Sequence, residues 1–426
     1  MSLQVMAGRA ELESRAVPSR HPFRIGLLGC GNVGSALVRL LDRQPHSGLC
    51  VDWALVRHPR ERGPNADRRL TTSSNAVFAS APDVVVELLG GCEPARELVV
   101  RALEARIPVV TANKSLLARH GRQLRESARR HGVPLLYEAA VIAGVPFLGT
   151  FARRPFAAQS TALVGIVNGT SNFVLSHSAH RSLDLGEGIR EAQARGYAEP
   201  DPANDINGTD AAEKLAVLLQ HFAGCDVAVD TIDRAGIQSV LAGHHSLAAE
   251  LGGALKPIIH ADWTDGVEAF VGPAFVPAAH PLHHVHDVEN ALLLETPRGR
   301  LLFQGPGAGP DITAATVIDD VHEVLSGAAL PAPDGLAAAG VRSPETGWFI
   351  ALDAPRLPTN LEVAEYLASQ GIYLRRAADR QSRDGRERQG LLTWPVSSAV
   401  VRDALFGLES AVGVTSVSFR TLEASR

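Results

Sequence analysis

A short apolar stretch, residues 23–28, runs directly into Gly29-Cys30-Gly31-Asn32-Val33-Gly34, and the helix-forming run Ser35-Ala36-Leu37-Val38-Arg39-Leu40-Leu41 follows without a break. Strand, Gly-x-Gly-x-x-Gly, helix is the arrangement in which a backbone turns tightly, approaches a pyrophosphate closely and offers it a helix N-terminus. The pattern is not isolated. Strands are expected at 51–56, 83–88, 107–110 and 133–137, with helices at 94–105 and 115–130 between them. Such alternation builds a parallel, doubly wound sheet whose ligands sit beyond the carboxyl ends of the strands. Gly90-Gly91, Thr111-Ala112-Asn113-Lys114 and Glu138 fall at those ends. The expected fold class is α/β, with a Rossmann-type domain that binds a dinucleotide.

The end of the second strand bears on which dinucleotide. An NAD site usually places Asp or Glu there to hold the ribose 2′-hydroxyl. This chain has Val56-Arg57-His58-Pro59-Arg60. Arginine suits a 2′-phosphate, so NADP is favoured over NAD. The competing reading makes Arg57 a surface residue and lets both cofactors bind.

Further on, residues 199–214 read Glu-Pro-Asp-Pro-Ala-Asn-Asp-Ile-Asn-Gly-Thr-Asp-Ala-Ala-Glu-Lys. Pro200 and Pro202 stiffen a loop that carries Glu199, Asp201 and Asp205. A helix starting near residues 207–210 then puts Asp210 and Lys214 on one face. The plain reading of Asp-x-x-x-Lys is a solvated ion pair worth about 0.3–0.5 kcal/mol. Composition argues for more. Lys114, Lys214 and Lys256 are the only three lysines among 41 basic residues. Arginine does not release its proton in a protein, whereas a partly buried lysine can be tuned to do so. Lysine in an arginine background therefore marks a candidate proton-transfer site. The acidic run is not a calcium loop: with Gly208 at the required glycine, Lys214 stands where a bidentate Glu belongs.

The remaining composition excludes several classes. A net charge of −5 gives no electrostatic basis for nucleic acid or an anionic membrane surface. No apolar run approaches the ~20 residues of a membrane span. Cys30, Cys50, Cys92 and Cys225 are widely spaced, as expected of reduced thiols in a cytoplasmic protein. Residues 1–22 lack an apolar signal core and are expected to form a mobile tail.

Beyond Glu138 the alternation stops. Residues 139–149 are apolar and glycine-bearing, and residues 165–172 form a turn-rich polar patch between apolar runs. Helices are expected at 186–195, 211–221 and 313–325, with a hairpin from 291–295 and 301–304. The last of these helices should return to the nucleotide-binding domain, giving it residues 23–140 and 303–325 around an α+β substrate domain of residues 141–302.

Five ordered motifs now carry a resemblance: Thr111-Ala112-Asn113-Lys114, Tyr137-Glu138-Ala139-Ala140-Val141, Asn168-Gly169-Thr170-Ser171-Asn172, the 199–214 segment and Gly305-Pro306-Gly307-Ala308-Gly309. From about residue 23 to 325 the chain resembles homoserine dehydrogenase. The resemblance implies interconversion of L-homoserine and L-aspartate 4-semialdehyde with a nicotinamide cofactor, a step in threonine and methionine biosynthesis. It implies that Lys214 and Lys114 act on the reacting oxygen, one moving its proton and the other polarising it. Glu199 would hold the substrate ammonium, Asp205 and Asp210 would orient lysines and substrate, and Gly169 and Thr170 would lie on the substrate side. Gly29, Gly31, Asn32, Val33, Gly34, Arg57, Gly90, Thr111, Asn113, Lys114 and Gly309 would meet the cofactor. A monovalent cation such as sodium would sit on the carbonyls of Glu138, Val141, Ala143 and Val145, where Ile142-Ala143 replaces the family's usual small residues. A homodimer or homotetramer is also implied. The chemistry is consistent with this: hydride leaves a carbinol carbon more easily as its hydroxyl proton is removed, for which a lysine of lowered pKa is suited.

Residues 326–346, rich in Ala, Pro and Gly, are expected to be a linker, and residues 347–426 to follow the order βαββαβ. That order is ferredoxin-like, and it resembles the ACT regulatory domain found on many homoserine dehydrogenases. Such domains usually have Asp-x-Pro-Gly before the first helix, where an amino-acid effector such as threonine docks. Here the segment is Asp353-Ala354-Pro355-Arg356-Leu357-Pro358, without the glycine. A dimerisation module that binds nothing fits equally. Two other functions stay open: a paralogous reductase of a related amino-acid semialdehyde, and a non-catalytic NADP-binding regulator. The second has no use for the paired lysines and acids.

Overall fold

The computed structural model describes residues 22–58, 70–152, 159–327, 337–383 and 385–423. The expected tail, Pro59-Arg60 and the centre of the expected linker lie outside them.

Strands β1 (Phe23–Leu28), β2 (Leu49–Leu55), β3 (Leu70–Thr71), β4 (Val84–Glu87), β5 (Val109–Thr111) and β6 (Leu135–Leu136) form one sheet in the order β3-β2-β1-β4-β5-β6. Every pairing in it is parallel. The order reverses between β1 and β4, which opens a crevice at the carboxyl ends of those strands. Runs such as Val84-Val85-Val86 are buried on both faces because helices cover both sides. Among them are α1 (Asn32–Asp42), α2 (Ala95–Glu104) and α3 (Lys114–His131). A later helix, α7 (Pro310–Leu325), packs on α1: Ala314, Val317 and Val321 share a core with Leu37, Val38 and Leu41. Arg39 and Asp311 pair at 2.8 Å across this contact.

The middle of the chain builds a second, mixed sheet. Strands β7 (Ala162–Ile166), β8 (Gly253–Asp262), β9 (Val267–Pro277), β10 (Glu289–Thr296) and β11 (Gly299–Pro306) run in the order β11-β10-β7-β8-β9, all antiparallel. Three helices pack about this layer: α4 (Gly169–Arg181), α5 (Thr209–Phe222) and α6 (Ala242–Glu250). The long β8–β9 hairpin has no counterpart in the sequence reading, and α4 begins inside the patch read there as turns. Asn168 explains the second difference. Its side-chain oxygen accepts the Ser171 N–H at 2.8 Å, so polar residues that look like a turn are a helix cap.

The C-terminal strands β12 (Trp348–Ala354), β13 (Leu374–Ala377), β14 (Arg386–Thr393) and β15 (Thr415–Thr421) lie in the order β15-β12-β14-β13, antiparallel throughout. Helices α8 (Asn360–Ser369) and α9 (Ser398–Val412) complete the ferredoxin-like unit, and Thr359 and Ser397 cap them. This unit is joined to the second sheet by more than a connecting segment. β15 pairs in parallel with β9 at Ala274↔Arg420 and Phe275↔Thr421, so one sheet continues through both. Part of the expected linker is also strand: Val341 and Arg342 pair with Val267 and Glu268. Asp353, at the start of the effector-type turn, pairs with both Arg386 and Arg388 of the neighbouring strand.

Among the described residues no helix is long and apolar enough to cross a membrane, and all four cysteines are free thiols.

Candidate active site

A cavity of about 630 Å³ lies where the two sheets meet, with Val33, Gly90, Asn113, Lys114, Thr170, Asp205, Asp210, Lys214 and Gly309 in its walls. The first helical turn of α5 places its acid. Gly208 enters in the left-handed region at φ +80°, and Asp210 follows in the first turn, where the helix dipole favours a negative charge. One turn later Lys214 rises beside it, with its Nζ 3.0 Å from Asp210 Oδ2. From the nucleotide-binding side, Lys114 reaches Asp210 Oδ1, also at 3.0 Å. Lys114 is the first residue of α3, an electrostatically poor place for a cation, and the carboxylate opposite offsets that cost. One buried carboxylate thus bridges two amines carried by helices that pack on different sheets.

Further contacts satisfy the group. Lys214 Nζ donates to the Val167 carbonyl at 2.6 Å. The Asn168 amide donates to Asp205 Oδ1 at 2.7 Å and to Asp210 Oδ2 at 2.8 Å. Burial alone would raise the Asp210 pKa, but the Lys214 and Lys114 ammonium groups outweigh it and hold the carboxyl well below its usual range. Asp210 in turn raises Lys114 above the ordinary lysine value, against the opposing effect of burial. A carboxylate in direct contact stabilises the ammonium, so Lys114 is not the lysine of lowered pKa that suits proton transfer. Asp205 is raised by burial, which outweighs the Asn168 hydrogen bond.

The glycine fingerprint divides its work as a pyrophosphate site requires. Gly29 sits at φ +104°, where a Cβ would lie 2.6 Å from the Leu88 carbonyl. A Cβ on Gly34 would lie 2.3 Å from the Gly29 carbonyl, so the helix needs hydrogen there to pack on the strand. At Gly31 nothing lies within 4 Å, which leaves open space before the α1 N-terminus that begins at Asn32. A nucleotide diphosphate fits this arrangement. Gly309, at φ +126°, opens α7 on the opposite wall.

Not every candidate reaches the cavity. Thr111 is fully buried behind it and donates to Glu87 Oε2 at 2.6 Å. Asn113 donates to Glu87 Oε1 and to the Gly91 carbonyl, while its own oxygen caps α3 through Leu116 N–H. Glu87, which the sequence did not single out, is thus the post that holds this wall; burial raises its pKa despite those hydrogen bonds. Glu199 is exposed and outside the walls, although Gly196 and Tyr197 just before it line them. Gly169 lies on the wall with Thr170, whose hydroxyl donates to the Tyr197 carbonyl at 2.6 Å. Arg57 is exposed beyond the end of β2.

The four expected cation-binding residues split. Glu138 and Ala143 line a separate, acidic cavity with Asp319, Asp320 and Glu323; Val141 faces the cavity that holds the lysines, and Ala143 touches both. Val145 lines neither. Burial and the neighbouring Glu138 carboxylate raise Asp320 well above its ordinary value. Thr316 donates its hydroxyl to the Ala143 carbonyl, which takes up part of that acceptor. Ile142 is fully buried in the core.

Comparison with known proteins gives a consistent picture. Residues 29–138 match the family model described as homoserine dehydrogenase, NAD binding domain, and residues 146–322 match the homoserine dehydrogenase model. The homoserine dehydrogenase of Pseudomonas aeruginosa is 32% identical over 423 residues, covering 92% of this chain and 97% of that protein. The crystal structure of a homoserine dehydrogenase from Thiobacillus denitrificans superposes with a TM-score of 0.86 at 31% identity, covering 95% of this chain and 99% of that one. A hyperthermophilic archaeal homoserine dehydrogenase, solved in complex with NADPH, shares the fold at 23% identity, with a TM-score of 0.62 over 74% of this chain and 99% of its own. The chain belongs to the homoserine dehydrogenase family and has its NAD(P)-dependent oxidoreductase activity.

Proposed function

We propose that the cavity interconverts L-homoserine and L-aspartate 4-semialdehyde, with Lys214 carrying the proton of the reacting oxygen and Lys114 polarising that oxygen. The observation behind this reading is the bridge in which Asp210 holds both amines 3.0 Å from its two oxygens. Bound nicotinamide supplies or accepts the hydride at the carbinol carbon. Lys114, raised by the Asp210 carboxylate beside it, stays an ammonium and stabilises developing negative charge on oxygen. Lys214 is then the residue left to exchange the proton. Asp210 keeps its charge throughout, so two cations can share a small space. The family resemblance assigns the substrate ammonium to Glu199, which is exposed just beyond the cavity-lining Tyr197.

For the cofactor we favour NADP. Arg57 stands at the end of β2, where the ribose is held in sheets of this order, and the archaeal relative was solved with NADPH. A monovalent cation would lie on the Glu138, Val141, Ala143 and Val145 carbonyls, as the resemblance implies; Glu138 and Ala143 line the cavity that also holds Asp319, Asp320 and Glu323. Assembly with a second copy is favoured by β11, an edge strand with Leu301 and Leu302 37% and 46% exposed.

The deciding experiment measures NADP-dependent oxidation of homoserine and of close hydroxy-amino-acid analogues by wild type and Lys214→Ala. Homoserine should give the highest kcat/KM, and Lys214→Ala should lose about two or more orders of magnitude in kcat. Higher kcat/KM on an analogue, or an active Lys214→Ala, would overturn the reading.

A further inference from the structure

The third lysine is not in the catalytic cavity. Lys256, on β8, is 2% exposed and lines a larger cavity of about 830 Å³, bounded by α4, α6 and the C-terminal sheet. Its Nζ donates to the Val285 carbonyl at 2.6 Å and to His286 Nδ1 at 3.3 Å. No carboxylate of the described residues lies within ion-pair distance of it. A buried ammonium with no carboxylate in contact is costly, and the more distant Asp287 offsets only part of that cost. Burial does depress it, to about 8, which still leaves it mostly charged at neutral pH.

Two further groups line the same cavity. Ser176 on α4 and His245 on α6 are 4% and 8% exposed, and Ser176 Oγ and His245 Nε2 meet no hydrogen-bond partner. Buried polar atoms are normally satisfied, so two unpartnered atoms on residues that line one cavity with a buried ammonium point to a ligand. Its charge follows from the walls. Arg386 and Arg388 also line the cavity, and its acid, Asp353, is engaged by both. An anion is therefore welcomed, while an ammonium finds no unengaged carboxylate. Leu175, Leu255 and Val417 supply an apolar remainder.

We propose that this cavity is a second ligand site, distinct from the catalytic one, which binds a small organic anion, carboxylate or phosphate, through Lys256, Ser176 and His245. The site takes anions without an amino group in preference to amino acids, which separates it from the substrate pocket.

The test titrates inorganic phosphate, succinate and aspartate into the full chain saturated with NADP, by calorimetry and by thermal shift. Phosphate or succinate should bind saturably and raise the melting temperature, and the more effective of the two identifies the anionic group. Aspartate, which is succinate with an ammonium, should bind more weakly than succinate. Lys256→Met should weaken binding about ten- to hundredfold, the value of a charge-assisted hydrogen bond, with kcat on homoserine unchanged. His245→Phe, which keeps the lysine and fills space, should weaken binding too and serves if Lys256→Met does not fold. Absence of saturable binding by phosphate and succinate overturns the site. Unchanged binding in the variants does the same, and aspartate binding tighter than succinate overturns the ligand class.

Discussion

At Asp210 the chemistry depends on a single side chain held at both oxygens. If lysine is there to exchange a proton and not merely to be positive, charge cannot substitute for it. Lys214→Arg should lower kcat by roughly two orders of magnitude, since guanidinium keeps the charge and withholds the proton, whereas Lys114→Arg, which keeps the charge, should lose less. Near-wild-type turnover of Lys214→Arg would refute that role. Replacing Arg57 by Asp should move the ratio of NADP to NAD kcat/KM toward NAD; an unchanged ratio makes it a bystander. The lysine–aspartate bridge was legible because residue type was informative: an i,i+4 pair built from a rare residue. Glu87, Asn168 and Glu213 were not. Each acts by holding another residue, as when Glu213 accepts Ser115 Oγ at 2.6 Å and Arg119 at 2.7 Å, and nothing in a linear sequence marks such a contact.

Among elements, α1 shows how much a glycine pattern can specify. Its three glycines do three different things, and the third is the most stringent, because the atom opposite Gly34 is backbone and cannot retreat. Gly34→Ala should cost about 1–3 kcal/mol from overpacking and raise the KM for NADP, because the helix N-terminus moves off the sheet. A melting curve with a cofactor titration checks both, and an unaltered KM would show that α1 keeps its place. The β/α alternation was readable since both faces of the first sheet are buried and its strands are plain apolar runs. The β8–β9 hairpin was not. Its ten- and eleven-residue strands are interrupted by Lys256, Pro257, His260 and Pro273, residues that argue against a central strand until their partners are known. α4 was concealed by its own cap.

For the whole molecule, pH should act through histidines kept neutral inside. His280 is 5% exposed, burial pushes it down to about 4 from an ordinary 6.5, and its Nδ1 caps Leu282 N–H at 3.2 Å. His244 and His245 are likewise held at about 4. Below the ordinary value the unfolded chain takes up protons that the folded one refuses. The contribution of each group is therefore fully present above pH 6.5 and is lost as pH falls toward about 4. Glu87, Glu138 and Asp320, raised by burial, act in the opposite sense, so one histidine must be isolated. His280→Asn can keep a cap and removes the titration. Wild type should lose stability relative to it by up to about 1.4 kcal/mol per pH unit across that window. Parallel melting temperatures for the two proteins would contradict this. The C-terminal unit was legible as a series of elements but not as an extension of the second sheet, since β15 joins β9 through only two residues on each strand.

The helix Gly169–Arg181 opens beside the paired amines and, two turns later, presents Ser176 to the other chamber. An unbroken helix has no joint along its length. A displacement of its far half would therefore bear on the cavity wall at Gly169 and Thr170.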